Sequence, residues 1–105
     1  MLASRRNSLT DVTITHRQRG KGGRYIAEIA GSEHTGHLDW EPHGDDMRVA
    51  THTIVPRAIG GRGIAALLVD ALVSDARAQG FRIVPQCWYV EKKFDENPDW
   101  ADLRA

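Results

Sequence analysis

Apolar positions along the chain follow one period up to Val55 and another from Ile64 onward. Val12 and Ile14, separated by Thr13 and followed by Thr15, predict a half-buried strand. The polar, glycine-rich stretch RQRGKGG at 17–23 reads as a turn. Tyr25, Ala27 and Ile29 alternate with Ile26, Glu28 and Ala30, a second strand stopping at Gly31. A third strand is expected from His34 to Trp40, with Leu38 and Trp40 sharing a face, and EPHGDD at 41–46 has turn chemistry. Met47 to Val55, rich in β-branched residues, completes an antiparallel four-strand meander.

The period then changes. Ile64, Leu67, Leu68, Ala71 and Leu72 recur at three and four, so a helix presents one apolar face while Asp70, Ser74, Asp75 and Arg77 point elsewhere. Gly80 stands where a helix end favours a left-handed residue. Phe81 to Val84 reads as a short fifth strand ended by Pro85, and Trp88 to Phe94 as one or two helical turns. Asn97 and Pro98 suit the N-cap and first position of a last helical piece. A strand, helix, strand crossover makes the fifth strand parallel to the fourth if they are neighbours. The fold class is therefore α+β: a mixed sheet with a four-strand antiparallel meander, a crossover helix, a parallel fifth strand and short C-terminal helices. MLASRRNSLT at 1–10 has no periodicity and is expected to be a flexible terminus, leaving 11–105 as one domain.

Composition narrows the function classes. The 105 residues suit one domain with a modest core. Fourteen Lys and Arg against fourteen Asp and Glu give a formal net charge of zero, which argues against a dedicated nucleic-acid binder. The balance is uneven, with a basic start up to Arg24 and an acidic end after Cys87. A single cysteine cannot form an internal disulfide and no secretory pattern opens the chain, so a reducing, cytoplasmic setting is expected. The longest apolar run, Ile64 to Val69, falls far short of the ~20 residues of a membrane span. No metal site is expected, because His34 and His37 fall on opposite faces of a strand and no zinc-ligand spacing occurs.

The chemistry concentrates between Thr51 and Val69, where a strand runs through a glycine-rich loop into the helix. Gly60, Gly61 and Gly63 allow close backbone approach, and the first N–H groups of the helix have no internal partners. With Arg57 and Arg62 nearby, the loop suits an anion such as a phosphate, although a tight turn needing glycine only for its geometry fits the same residues. It is not a P-loop, since Ile64 and Ala65 replace the required Lys and Ser or Thr, and the dinucleotide fingerprint is absent.

The loop resembles the acyl-CoA pyrophosphate loop of the GNAT N-acetyltransferase superfamily, whose pattern is Gln or Arg, two residues, Gly, one residue, then Gly or Ala. Gly63 and Ala65 fill the last two places, while Gly60 departs from the usual Gln or Arg. HTIVP at 52–56, GGRGIAALLVDAL at 60–72, the Val84-Pro85 pair before Cys87 and the tail CWYVEKKFDENPDW at 87–100 resemble the very short single-domain members. The resemblance implies a sheet that splays open between the fourth and fifth strands, with acetyl-CoA as cosubstrate in the gap. Ile54 and Val55 would pair with the pantetheine amides. The backbone from Gly60 through Gly61, Arg62, Gly63, Ile64 and Ala65 would cradle the pyrophosphate. A strand N–H would polarise the thioester carbonyl.

Cys87 follows the fifth strand, and three roles stay open: nucleophile, acid toward departing CoA, or small apolar filler. His52 is the candidate base, since an amine of pKa ~10.4 must lose a proton before attacking, although a structural strand histidine fits too. Tyr89 is a possible proton donor to the thiolate or a packing aromatic. Lys92 and Lys93 could meet nucleotide phosphates or simply be solvated. The reading is an acetyl-CoA-dependent N-acetyltransferase acting on an unidentified amine, directly or through Cys87, as monomer or homodimer and without nucleic-acid or membrane partners. The alternatives are a non-catalytic acyl-CoA binding or sensing module and an interaction domain whose loop is only a turn.

Overall fold

A computed structural model describes the backbone of residues 3–7 and the whole of residues 11–105. Six strands form one sheet in sequence order: β1 (Ala3–Asn7), β2 (Val12–Arg19), β3 (Gly22–Ile29), β4 (Thr35–His43), β5 (Met47–Ile54) and β6 (Arg82–Pro85). Neighbours are antiparallel except β5 and β6, which are parallel and joined by α1 (Ile64–Gln79). A 3₁₀ turn at Arg57–Ile59 precedes α1; α2 (Trp88–Glu96) and a 3₁₀ segment at Pro98–Leu103 close the chain. This is the mixed sheet with crossover helix and parallel last strand that the periodicity predicts.

The alternation sorts residues onto two faces. Val12, Ile14, Tyr25, Ala27, Ile29 and Leu38 form one, and α1 packs on it with Leu68, Leu72 and Ala76. Val90 and Phe94 of α2 join the same core, and α2 packs against α1, β5 and β6. Gly80 ends α1 at φ 80°, its N–H bonded to the Ala76 carbonyl at 2.9 Å. The register assigns the opposite face Arg17, Arg24, Ile26, His37, Asp39, His52 and Ile54.

Four expectations change. The stretch expected to be flexible carries β1, which pairs with β2 from Ala3↔His16 to Asn7↔Val12; backbone pairing along a sheet edge needs no apolar period. Residues 1, 2 and 8–10 of that stretch lie outside the described residues. The glycine-rich 17–23 segment is mostly strand, with only residues 20–21 as the turn; Gly22 and Gly23 serve close packing, since side chains there would run into Trp40. β4 continues through Pro42 to His43: its pairing with β3 ends at Trp40, so beyond it β4 has a neighbour on one side only, where proline is tolerated. Asp75, expected to face away from the core, is buried and accepts a 2.7 Å hydrogen bond from the Tyr25 hydroxyl.

Candidate functional site

The parallel pairing of β5 and β6 runs from Met47↔Arg82 to Ala50↔Pro85. Cys87 then donates its N–H to the Ala50 carbonyl at 2.9 Å and α2 begins. Beyond Ala50, β5 continues to Ile54 with β4 as its paired neighbour. β6 is paired over its whole length and ends at Pro85, so the gap is the stretch of β5 beyond Ala50 that has no strand beside it on that edge, next to the start of α2.

A β-bulge determines what faces this gap. Trp40 pairs with Ala50 but Asp39 pairs with His52, leaving Thr51 as the extra residue; its hydroxyl donates to the Asp39 carbonyl at 3.3 Å. Strict alternation from buried Ala50 would turn His52 toward the helices. The inserted residue reverses the phase, so His52 and Ile54 lie on the open face and Thr53 lies opposite buried Leu38.

Cys87 is buried, and its Sγ donates to Thr53 Oγ1 at 3.5 Å. It therefore sits on the helix side of β5, with His52 on the other side. The two expected catalytic residues border one strand but do not form a nucleophile–base pair. Thr53 was not singled out by the sequence, where its only signal is its place between His52 and Ile54.

Past Ile54 the chain makes its 3₁₀ turn and enters the loop. Gly61 and Gly63 have φ of 74° and 73°, a backbone region that glycine enters without steric cost. Gly63 is the N-cap of α1 and provides no side-chain cap, and the first turn carries no acidic residue. The amides at the start of α1 thus combine the positive end of the helix dipole with an exposed glycine surface. Arg57 and Arg62 are exposed beside them. Ile64 is only 2% exposed: its side chain anchors the core, so its backbone alone is available to a ligand. Gly36 of β4 sets this junction, since a Cβ there would lie 3.3 Å from both Ile64 Cγ2 and Val55 Cγ2.

Other predicted residues are arranged less simply. Val55 packs partly against the core, Ala65 is half-buried and Ile54 is 51% exposed. Tyr89 is partly buried and meets Trp88 edge-on at 5.8 Å. Lys93 is held 3.3 Å from Glu96 and 5.8 Å from the Tyr89 ring centroid. Tyr89, then Glu96, holds the Lys93 ammonium above its ordinary pKa. Lys93 thus has Glu96 as its ion-pair partner on α2. Lys92 pairs more loosely with Glu96, at 3.8 Å.

The open face carries an ion-pair cluster that the sequence did not signal. Arg24 grips Asp39 with two bonds, Nε to Oδ1 at 2.6 Å and Nη2 to Oδ2 at 3.0 Å, and Arg19 reaches Oδ2 at 3.5 Å. Burial pushes the Asp39 carboxyl up, but the Arg24 hydrogen bonds and charge, helped by His37 and Arg19, hold it below the usual carboxylate range. Burial, then the Arg24 charge, lowers His37 from its ordinary value. A cleft of about 210 Å³ opens beside this cluster, lined by Arg19, Asp39, Glu41, Thr51, His52 and Gln86 among others. Among the described residues, no three His, Cys, Asp or Glu side chains converge as a metal site requires.

The sequence profile of the GCN5-related N-acetyl-transferase family matches residues 24–103, from the Asp39-binding arginine through the loop and both C-terminal helical segments. The chain belongs to the GCN5-related N-acetyltransferase family. It is similar to protein NATD1 of Bos taurus, 30% identical over 87 residues covering 83% of this chain and 75% of the relative. The Homo sapiens and Gallus gallus NATD1 proteins are 29% and 31% identical, over 83% and 74% of this chain and 75% and 71% of theirs. In GCN5-related N-acetyltransferase terms this chain is an acetyltransferase-like domain, and the matched span contains the strand gap, the bulge and the glycine loop.

Proposed function

We propose that the chain binds acetyl-CoA in the gap between β5 and β6 and transfers the acetyl group to an amine. Three features of the chain fit that cosubstrate. β5 beyond Ala50 is free of β6, so the backbone of Ile54 and Val55 can hydrogen-bond an extended amide-bearing arm. The Gly60–Ala65 backbone, with its uncapped helix start, suits a diphosphate. Arg57 and Arg62 supply exposed positive charge beside the loop. Acetyl-CoA, when bound, supplies an activated thioester.

The chain's own groups have separate duties. His52, on the open face, accepts the proton of the incoming amine, and the amine therefore approaches from that face. Cys87, on the helix side against Thr53, borders the thiol end of the gap. Attack is direct, because the base and the thiol lie on opposite sides of β5 and cannot act as a pair. A single cysteine and a formal net charge of zero suit a reducing, cytoplasmic setting without nucleic-acid partners.

The stretch of β5 beyond Ala50, which has no β6 residue beside it, carries this reading. Acetyl-CoA is mixed with amino acids, peptides and polyamines, and free thiol release is followed. The expected result is acceptor-dependent release that falls about 10²-fold in His52→Gln with CoA affinity unchanged. Saturable CoA binding without thiol release on any acceptor would support a non-catalytic acyl-CoA module instead.

A further inference from the structure

We infer that the trough on the open face beside His52 is an acceptor subsite for a small amine that also carries a carboxylate, of the amino-acid or short acidic-peptide type. The inference rests on the acetyltransferase reading and specifies its acceptor.

Two depressions meet here. The 210 Å³ cleft at His52 and Gln86 shares Arg19 and Glu41 with a wider one of about 600 Å³ that extends to Lys21 at the β2–β3 turn. Together they form a trough with His52 at one end, Arg19 and Glu41 where the two meet, and Lys21 at the other. The ends differ chemically, as an amine with a distant acid group requires.

The charges along the trough set the preference. Asp39 is the buried carboxylate at its floor, and the bidentate Arg24 already occupies both its oxygens. Asp39 is therefore poorly placed to attract an ammonium group. Arg19 touches Asp39 through one nitrogen at 3.5 Å, and its side chain is 61% exposed, so most of its N–H donors remain available. Arg17 lies directly across from Arg24 in the register, adding a third guanidinium to this end of the face. With Asp39 already paired to Arg24, the charged groups lining the trough are Arg19 and Lys21 against Glu41. The far end thus favours an anionic group and repels a polycation. A guanidinium anchored at one corner is a suitable partner for a carboxylate, which it can bind through two parallel bonds. With the carboxylate held at Arg19, the amine of the same small molecule reaches toward His52.

The test uses the ¹⁵N-labelled chain, titrated with the dipeptide Glu-Glu, with spermidine and separately with coenzyme A. Glu-Glu is expected to shift the backbone amides of Arg19–Gly23 and His52 saturably, and spermidine to leave them unchanged. Arg19→Glu, at a side chain 61% exposed, should weaken Glu-Glu binding at least tenfold with the rest of the spectrum preserved. Equal Glu-Glu binding in Arg19→Glu, preferential spermidine binding, or no Glu-Glu shifts in the trough would overturn the inference. Coenzyme A reports on the acetyltransferase reading separately. If it leaves the Gly61–Ala65 amides unmoved while Glu-Glu still binds, that reading fails and the acid-binding trough stands.

Discussion

Asp39 shows how one carboxylate organises the open face. It is 7% exposed, on the side of the sheet away from the helices, and is compensated by the two Arg24 bonds and by Arg19. Removing the charge leaves Arg24 part-buried without its partner, so Asp39→Asn should destabilise the fold by about 1–3 kcal/mol in chemical denaturation. The acid dependence has a definite sign. The folded carboxyl lies below its unfolded value, so its contribution is complete above about pH 4 and is lost as pH falls through the folded value. Asp39→Asn should therefore flatten the loss of stability below pH 4; an unchanged slope would mean that other carboxylates dominate. At Cys87 the outcome separates chemistry from packing. Direct transfer predicts that Cys87→Ala retains turnover at a stability cost of about 1 kcal/mol. Lost turnover with CoA affinity retained would assign the thiol a step.

At the scale of elements, β5 and the loop behind it depend on small insertions and missing side chains. Thr51 reverses the phase of the strand, and Gly36 lets Ile64 and Val55 close over β4. Gly36→Val should push these two apart, costing about 1–3 kcal/mol by overpacking, and should weaken CoA binding through the displaced loop. Gly60 provides a cleaner probe of the proposed anion site, because its φ of −70° is open to any residue. Gly60→Asp should lower CoA affinity at least tenfold by calorimetry, about 1.4 kcal/mol, with stability little changed and Gly60→Ser close to wild type. The loop and α1 were legible because glycine spacing and the three-four period are local signals. The bulge was not: THTI reads as plain alternation, and only the pairing of Asp39 with His52 reveals the extra residue. The same holds for Asp75 and the Arg24–Asp39 pair, whose partners lie on other elements and leave no mark in the local pattern.

At the scale of the molecule, the design is a sheet with helices and core on one side and a polar, open second side. The unpaired stretch of β5 and the cleft at His52 border the same strand, so on the proposed reading that strand presents both reactants. This two-sided arrangement also has a pH signature near neutrality. The His37 proton is held less tightly in the folded state than in the unfolded one, so stability should decline as pH falls below about 6.5. His37→Gln should remove that decline in thermal unfolding between pH 7 and 5. An unaltered profile would show that His37 does not contribute to it.

The most direct measurement is a crystal structure of the chain grown with coenzyme A. The account predicts the diphosphate within hydrogen-bond distance of the Gly61–Ala65 amides and the pantetheine arm paired along β5 beyond Ala50, its sulfur near Cys87. A diphosphate bound elsewhere, or β5 and β6 closed around an empty gap, would contradict it.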